Sequence, residues 1–238
     1  MKIKYITLIL LSFSLTVANA QSKAPATSVW SASKANAWYA KHKWINGSDF
    51  IPSSAINQLE MWQADTFDPK TIDRELGYAE GIGFNAMRVF LHSMAWQQDP
   101  VGFKKRVGQY LAIADRHHIQ TIFVFFDDCW NPTAKTGKQP EPKTGIHNSG
   151  WLQDPGARLN DAGETVMLQK YVTDVLNTFK HDKRILLWDL YNEPGKSGKK
   201  DKSLDLLSKI YLWSRAVNPD QPLSMGLWDW GFEKLNTF

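Results

Sequence analysis

The chain contains the stretch Ile185-Leu-Leu-Trp-Asp-Leu-Tyr-Asn-Glu-Pro194, and the predicted architecture is built outward from it. Its apolar start predicts a strand buried on both faces, as the strands of parallel sheets are. Pro194 has no N–H to donate to a sheet, so the strand must end near Glu193. Asn192 and Glu193 therefore follow the carboxyl end of a buried strand, which is the edge that carries the chemistry in α/β barrels.

A carboxyl group at that edge, partly shielded by Trp188 and Tyr191, is suited to act as a general acid near neutral pH. The physical reason is that removal from water raises the pKa of a carboxyl group. The simpler alternative is an Asn-Glu pair that caps the loop between a strand and a helix. Three residues alone do not separate these alternatives, and the rest of the chain favours the first.

The length and composition predict one globular unit. The chain has 238 residues, of which 43% are hydrophobic and 22% charged. This is enough for one sizeable core, and it argues against a disordered chain. A complete (β/α)₈ barrel needs about 250 residues, so the length allows one nearly complete barrel or part of a larger one.

The first 20 residues have the pattern of a secretory signal. Lys2 and Lys4 provide a basic start, residues 6–17 are apolar, and Ala18-Asn-Ala20 is a small-x-small cleavage site. A membrane anchor is the alternative, but the apolar run is short for a bilayer. We therefore expect a secreted or periplasmic protein that comprises residues 21–238 and has no membrane partner after cleavage.

Charge and cysteine content exclude several classes of partner. The net charge is +4, and removal of residues 1–20 takes away two Lys, leaving 26 basic and 24 acidic residues, or +2. Because the basic residues are scattered, we predict no nucleic-acid partner. Cys129 is the only cysteine, which excludes an internal disulfide and a thiolate metal cluster. No His pair has the spacing of a helical zinc site. We predict no metal and no cofactor, and the sequence leaves a structural calcium ion open.

Strands and helices alternate along the chain, with a polar-aromatic loop predicted at residues 55–63. The predicted strands are residues 44–53, 84–91, 119–126, 185–193 and 222–227. The predicted helices are residues 31–43, 68–81, 100–117, 162–180 and 202–217. This alternation is typical of a parallel α/β fold.

Two parallel α/β architectures compete. A doubly wound sheet usually carries Gly-x-Gly-x-x-Gly after its first strand. That motif is absent, and Gly81-Ile-Gly83 precedes a strand, where it stops a helix. The long loops all follow strands, as they do in (β/α)₈ barrels. We therefore predict an incomplete TIM barrel that contains about the first five β/α units.

Polar and aromatic side chains cluster after the predicted strands. The candidate substrate contacts are Trp62, His92, Asp127, Trp130, His147, Trp151 and Trp228. Flat Trp faces can stack on sugar rings, but Trp is also a large core residue. One of Asp127 and Asp128 is expected to cap its loop. For His92 the sequence leaves two alternatives, contact with substrate or packing in the core. The long loop that carries His147 is either functional or disordered.

Three stretches of this sequence resemble a cellulase-like branch of the retaining (β/α)₈ glycoside hydrolases, the clan that includes family 5. They are Ala55-Ile-Asn-Gln-Leu-Glu-Met-Trp62, Phe84-Asn-Ala-Met-Arg-Val-Phe-Leu-His92 and Trp188-Asp-Leu-Tyr-Asn-Glu-Pro194. The resemblance covers about residues 44–230. It implies that residues 21–238 are the N-terminal part of a catalytic domain. The substrate class it implies is a β-linked polysaccharide or oligosaccharide.

The resemblance also implies three residue roles. Glu193 would be the general acid and then the general base, and Asn192 would bind the sugar 2-hydroxyl. Arg88 would lie beside the nucleophile and keep it ionised. The nucleophile of such enzymes is a second Glu after the seventh strand, and no residue of this chain matches it. We therefore expect an endo-type retaining hydrolase whose first 238 residues alone do not hydrolyse glycosides.

Two alternative functions compete with this hypothesis, and the sequence favours neither. A non-catalytic carbohydrate-binding relative, or the remnant of a disrupted gene, would share the same fold. A serine-dependent α/β hydrolase would carry Gly-x-Ser-x-Gly after a strand, and this motif does not occur.

Overall fold

The computed structural model describes residues 29–228, and there the chain alternates between parallel strands and helices. The helices are α1 (Ala32–Tyr39), α2 (Gln58–Trp62), α3 (Pro69–Gly81), α4 (Ser93–Gln98), α5 (Pro100–Arg116), α6 (Glu164–Phe179) and α7 (Lys200–Val217). The strands are β1 (Gly47–Asp49), β2 (Ala86–Phe90), β3 (Gln120–Val124), β4 (Ile185–Asn192) and β5 (Leu223–Gly226).

The strands form one parallel sheet in the order β1-β2-β3-β4-β5. Each strand pairs with the next one along the chain, as in a (β/α)₈ barrel. A doubly wound sheet would instead reverse its order at a switch point. The predicted parallel α/β fold is confirmed, and within the described residues the sheet presents the first five strands of a barrel.

Helices cover one face of this sheet and bury an aromatic core. Trp62, Tyr110 and Phe123 are fully buried and pack ring against ring, with centroids 5.8–6.4 Å apart. The predicted start of α3, with Asp68 as its capping residue, is confirmed. The Asp68 carboxylate accepts hydrogen bonds from the N–H groups of Lys70 and Thr71 ahead of α3, which satisfies donors that a helix terminus leaves free.

The segment after β1 differs from its prediction. Residues 55–63 were expected to form a loop, but they contain α2. Asn57 Oδ1 accepts from the N–H of Glu60 at 2.9 Å, and Glu60 Oε2 accepts from the N–H of Ile56 at 2.7 Å. These two bonds form a variant of the capping box, which is recognisable in sequence as a capping residue followed three positions later by Glu.

Trp62 ends α2 inside the core, so its predicted contact with sugar is wrong. Its side chain is 0% exposed, and its Nε1–H donates to the Phe90 carbonyl at 2.8 Å. No face of the indole is available to a ligand. The strand before it is also shorter than predicted, at three residues.

The proposed signal sequence, residues 1–20, lies outside the described residues. No helix within residues 29–228 combines the length and apolar character needed to cross a bilayer.

Candidate active site

Glu193 lies in a strained turn at the carboxyl edge of the sheet. Its φ angle is +46°, a value uncommon for residues other than Gly and concentrated at functional sites. The turn does not detach Glu193 from the sheet, because its N–H still donates to the Gly226 carbonyl at 2.8 Å. The side chain is 29% exposed. The predicted position of this carboxyl group at a strand end is therefore found.

Arg88, on β2, holds several side chains of this edge together. Its Nε and Nη2 donate to Asp189 Oδ2 at 3.1 and 2.7 Å, and Nη2 also donates to Asn192 Oδ1 at 2.9 Å. Nη1 donates to Asp49 Oδ1 at 3.2 Å. Burial by itself lowers the pKa of Arg88, but the Asp189 and Asp49 carboxylates outweigh it and raise the pKa overall. The predicted proximity of Arg88 and Asn192 is thus present.

Gly226, at the end of β5, provides the space for this arrangement. A Cβ atom at this position would lie 3.0 Å from Asn192 Oδ1 and 3.4 Å from Arg88 Nη2. A side chain here would therefore press on the Arg88–Asn192 hydrogen bond.

Asp127 fixes the other side of the Asn192 amide and does not face solvent. Asn192 Nδ2 donates to Asp127 Oδ1 at 2.8 Å, and the backbone N–H of Cys129 donates to the same oxygen at 3.0 Å. Asp127 is 2% exposed, so the prediction that it contacts substrate is wrong. Burial raises the pKa of Asp127 to about 7, against the hydrogen bonds from Asn192 and Cys129 that lower it.

We expect Asp127→Asn to change how stability depends on pH. Because the pKa of Asp127 is raised from 3.8 to about 7 on folding, the native state holds this proton more tightly than the unfolded state. The contribution of Asp127 to the free energy of unfolding is therefore fully present below pH 3.8 and is lost as the pH rises towards about 7. The loss is at most about 4 kcal/mol.

Urea unfolding of both proteins at pH values from about 4 to about 8 measures this effect. The Asn variant should gain stability relative to the unsubstituted protein as the pH rises through that window. Two parallel pH profiles would contradict the raised pKa.

The Glu193 carboxylate has two neighbours that the sequence did not indicate. The Cys129 thiol donates to Oε2 at 3.2 Å, and Lys196 Nζ lies 3.3 Å from the same oxygen. Burial, followed by repulsion from Asp127 and Glu193, raises the pKa of the Cys129 thiol, so it stays protonated and able to donate. Trp188 and Tyr191, expected to shield this carboxyl group, are instead fully buried in the core.

Asp128 is a structural residue, as expected for one of the two adjacent Asp residues. It is 1% exposed, and it accepts from Tyr191 Oη at 2.9 Å, the Gly195 N–H at 2.6 Å and Ser203 Oγ at 2.5 Å. These bonds tie the end of β3 to the turn after Glu193 and to α7.

His92 is fully buried, so its predicted contact with substrate is wrong and the packing alternative holds. Its Nδ1 accepts from the N–H of Met94 at 3.2 Å and caps α4, a helix that was not predicted. Burial lowers the pKa of His92, which favours the neutral ring that can accept this bond.

A row of aromatic side chains leads from Arg88 to the surface. The Arg88 guanidinium lies 4.7 Å from the Phe90 ring centroid. The ring centroids of Phe90 and Trp151 are 6.2 Å apart. The ring centroids of Trp151 and Trp130 are 5.9 Å apart, and those of Trp130 and His147 are 5.4 Å apart. Trp130 is 42% exposed and has a φ angle of +77°, a strained value for a large side chain.

Trp228 lies beside the Lys196 ammonium that contacts Glu193. It is 36% exposed, and Lys196 Nζ lies 3.6 Å from its ring centroid. The predicted contacts Trp130, His147, Trp151 and Trp228 are therefore all at least partly exposed. Within residues 29–228, no group of three His, Cys, Asp or Glu side chains is placed to hold a metal ion.

Solved structures that share this fold are glycoside hydrolases. An endo-β-1,4-mannanase from Thermotoga petrophila matches with a TM-score of 0.50 and 16% identity, over 79% of this chain and 44% of its own. An exo-β-1,4-mannosidase from Opitutaceae bacterium strain TAV5 matches with a TM-score of 0.52 and 20% identity, over 76% of this chain and 31% of its own. No family model matches the sequence, and no curated protein does either.

The chain therefore shares its fold with these two glycoside hydrolases, and its five described strands form part of a (β/α)₈ barrel. It spans less than half the length of either of these two enzymes.

Proposed function

We propose that this protein is a retaining, endo-type β-glycoside hydrolase that cleaves a β-linked polysaccharide outside the cytoplasm, secreted or periplasmic. One observation carries the proposal: a partly exposed Glu193 follows a barrel strand, beside an Asn192 side chain fixed from both sides. Asn192 receives a hydrogen bond from Arg88 and donates one to Asp127. A fixed amide next to a proton donor is suited to hold a sugar hydroxyl at the bond to be cleaved.

The proposed reaction has two steps, in which Glu193 changes role. Protonated Glu193 donates its proton to the glycosidic oxygen as the C1–O bond breaks and a carboxylate nucleophile attacks C1. Ionised Glu193 then takes a proton from the water that attacks C1, which releases the nucleophile. The Cys129 thiol and Lys196 ammonium both donate towards the carboxylate, so they would orient it and stabilise its ionised form between the steps.

The nucleophile is assigned to a residue beyond the described ones. Asp127, Asp128, Asp154 and Asp189, which lie around this edge, are at most 5% exposed, so a sugar cannot reach their carboxylates. We therefore expect residues 29–228 to bind β-linked sugars, and hydrolysis to require a carboxylate from elsewhere in the protein. The alternative, a carbohydrate-binding protein without catalysis, predicts the same binding by these residues.

Expression of the complete open reading frame separates the two functions. It should release oligosaccharides from at least one β-linked polysaccharide, with retention of configuration at C1. The panel should begin with β-1,4-mannan, because both structural neighbours are named for β-1,4-mannan chemistry. Sugar binding without any product from the complete protein would favour the alternative.

Trp130→Ala should weaken oligosaccharide binding to the 238-residue protein about tenfold, or about 1.4 kcal/mol. The reason is that its exposed ring offers a flat face at the outer end of the aromatic row. Isothermal titration calorimetry with a β-1,4-linked hexasaccharide measures the change. The matched control is Trp44→Ala: Trp44 is 79% exposed, but it precedes β1 at the opposite edge of the sheet. Equal losses from both variants would rule out a specific role for Trp130.

A further inference from the structure

His117, which follows the last turn of α5, lies between two carboxylates of α3. Its Nε2 is 2.8 Å from Asp73 Oδ1, and its Nδ1 is 3.0 Å from Glu80 Oε2. A neutral imidazole has one N–H and one acceptor nitrogen, whereas an ionised carboxylate can only accept. Both contacts are therefore hydrogen bonds only when His117 carries a proton on each ring nitrogen.

The His117 ring also packs against the backbone of α3. Gly77 lies between Asp73 and Glu80 on one face of this helix, and a Cβ atom there would lie 3.3 Å from His117 Cε1. The His117 side chain is 20% exposed, compared with 47% for Asp73 and 40% for Glu80. The ring is thus less open to water than the members of an ordinary surface ion pair. The contact joins the two helix ends that lead into β2 and β3.

Neighbouring cations share the two carboxylates with His117. Arg116 Nη2 donates to Asp73 Oδ1 at 2.9 Å, and His118 Nδ1 lies 2.8 Å from Glu80 Oε1. Burial by itself lowers the pKa of His117, but the hydrogen bonds to Glu80 and Asp73 and their negative charges outweigh it and raise the pKa above the usual 6.5. Next to His118, further charged or titratable groups line a cavity; they are Lys41, His42, Lys43 and Asp115.

We propose that His117, Asp73 and Glu80 form a pH-sensitive clamp, which fastens α3 to α5 only while both ring nitrogens of His117 are protonated and both carboxylates are ionised. When the ring loses one proton, one of its nitrogens presents a lone pair to a carboxylate, so one hydrogen bond is replaced by repulsion. This inference does not depend on the proposed function, because the clamp lies at the edge of the sheet opposite Glu193.

The pKa shifts define the pH window in which the clamp is closed. Because the pKa of His117 is raised on folding, its contribution to the free energy of unfolding is fully present below pH 6.5 and is lost as the pH rises through the raised pKa. Hydrogen bonds from His117 are the main cause that lowers the pKa of Asp73 below 3.8 and that of Glu80 below 4.5. Their contribution is present above those values and is lost as the pH falls through the lowered pKa values.

NMR measures the pKa of the ring directly, from the His117 Cε1–H resonance followed against pH in the 238-residue protein. The spectrum of His117→Gln assigns this resonance by its absence. We expect a pKa above 6.5, and a lower one in Glu80→Gln and in Asp73→Asn, because each substitution removes a negative charge beside the ring. A ring pKa at or below 6.5 in the folded protein would overturn the clamp.

Urea unfolding measures what the clamp contributes. His117→Gln should raise the ratio of unfolded to folded protein about fivefold at about pH 5.5 and leave it nearly unchanged at about pH 9. The pH-dependent contribution of Asp127 is shared by both proteins, so it cancels in their difference. The matched control is His181→Gln, because His181 is 68% exposed and pairs with the equally exposed Asp220. This control should change the ratio little at either pH.

A double-mutant cycle between His117→Gln and Asp73→Asn shows whether the stabilisation comes from the contact itself. The two losses should be non-additive at about pH 5.5 and additive at about pH 9. A loss of equal size at both pH values would mean that His117 acts through packing alone, and it would overturn the clamp. If His117→Gln fails to fold, the ring pKa of the unsubstituted protein and of Glu80→Gln decides the question.

Discussion

Glu193→Gln should lower kcat for polysaccharide hydrolysis about 10³-fold in the protein from the complete open reading frame. A positioned acid or base contributes about 10²- to 10⁴-fold, and Glu193 serves in both proposed steps. Gln keeps the size of the side chain and can still contact Cys129, but it cannot give a proton to the leaving oxygen or take one from water. Steady-state kinetics on the preferred polysaccharide measures the loss.

Aryl glycosides with different leaving groups identify the missing step. A dinitrophenolate leaves without protonation, so formation of the glycosyl-enzyme should be nearly normal in the variant, while a phenol leaving group should show the full loss. Glu80→Gln is the control, since Glu80 and its partners His117 and His118 precede β2 and β3, at the edge of the sheet opposite Glu193. Full activity in Glu193→Gln would remove the acid/base assignment.

The same substitution has a second readout that does not depend on activity. Cys129 is the only cysteine, and its thiol lies 3.2 Å from Glu193 Oε2. Loss of the negative charge should lower the pKa of the thiol, because repulsion from Glu193 contributes to raising it. Iodoacetamide should therefore alkylate Cys129 faster in the variant at a fixed alkaline pH. An unchanged thiol pKa, read from the pH dependence of the alkylation rate, would show that the thiol and the carboxyl group are not in contact.

The sequence was sufficient to predict the sheet and the centre of the site. The apolar run into Asn192 and Glu193 has few interpretations, because Pro194 ends the strand and both faces must be buried. Arg88 could be placed near Asn192 because the strands of a parallel sheet bring their carboxyl ends to one edge. Those inferences depend on periodicity and strand order, which the sequence carries directly.

The errors concern residues just after the strands. Trp62 and His92 lie in segments that the sequence predicts as open loops, but short helices turn both side chains into the core. Asp127 and Asp128 are adjacent, and which partner each one meets depends on distant groups such as Asn192 and Ser203. No local pattern encodes those contacts. The Cys129–Glu193 contact joins residues 64 positions apart and was missed for the same reason.

Arg88→Ala should lower the free energy of unfolding by about 3 kcal/mol. The substitution leaves the Asp189 carboxylate, whose side chain is 8% exposed, without its cation, and it takes the donor from Asn192 Oδ1. Breaking a buried ion pair by removing one partner costs about 3–5 kcal/mol, and we take the low end because Arg88 is itself 23% exposed. Urea unfolding followed by tryptophan fluorescence measures the change.

Arg116→Ala is the matched control, because its pair with Asp73 has side chains 58% and 47% exposed and should contribute little. A double-mutant cycle with Asp189→Asn then isolates the Arg88–Asp189 coupling, since the amide that replaces the carboxylate leaves no buried charge behind. If Arg88 holds Asn192 for substrate, Arg88→Ala must also weaken oligosaccharide binding under conditions where the variant is fully folded, and Asp189→Asn must weaken it less. An Arg88 effect on unfolding as small as that of Arg116 would mean that the Asp189 charge is solvated, and Arg88 would then be a surface residue rather than the organiser of this site.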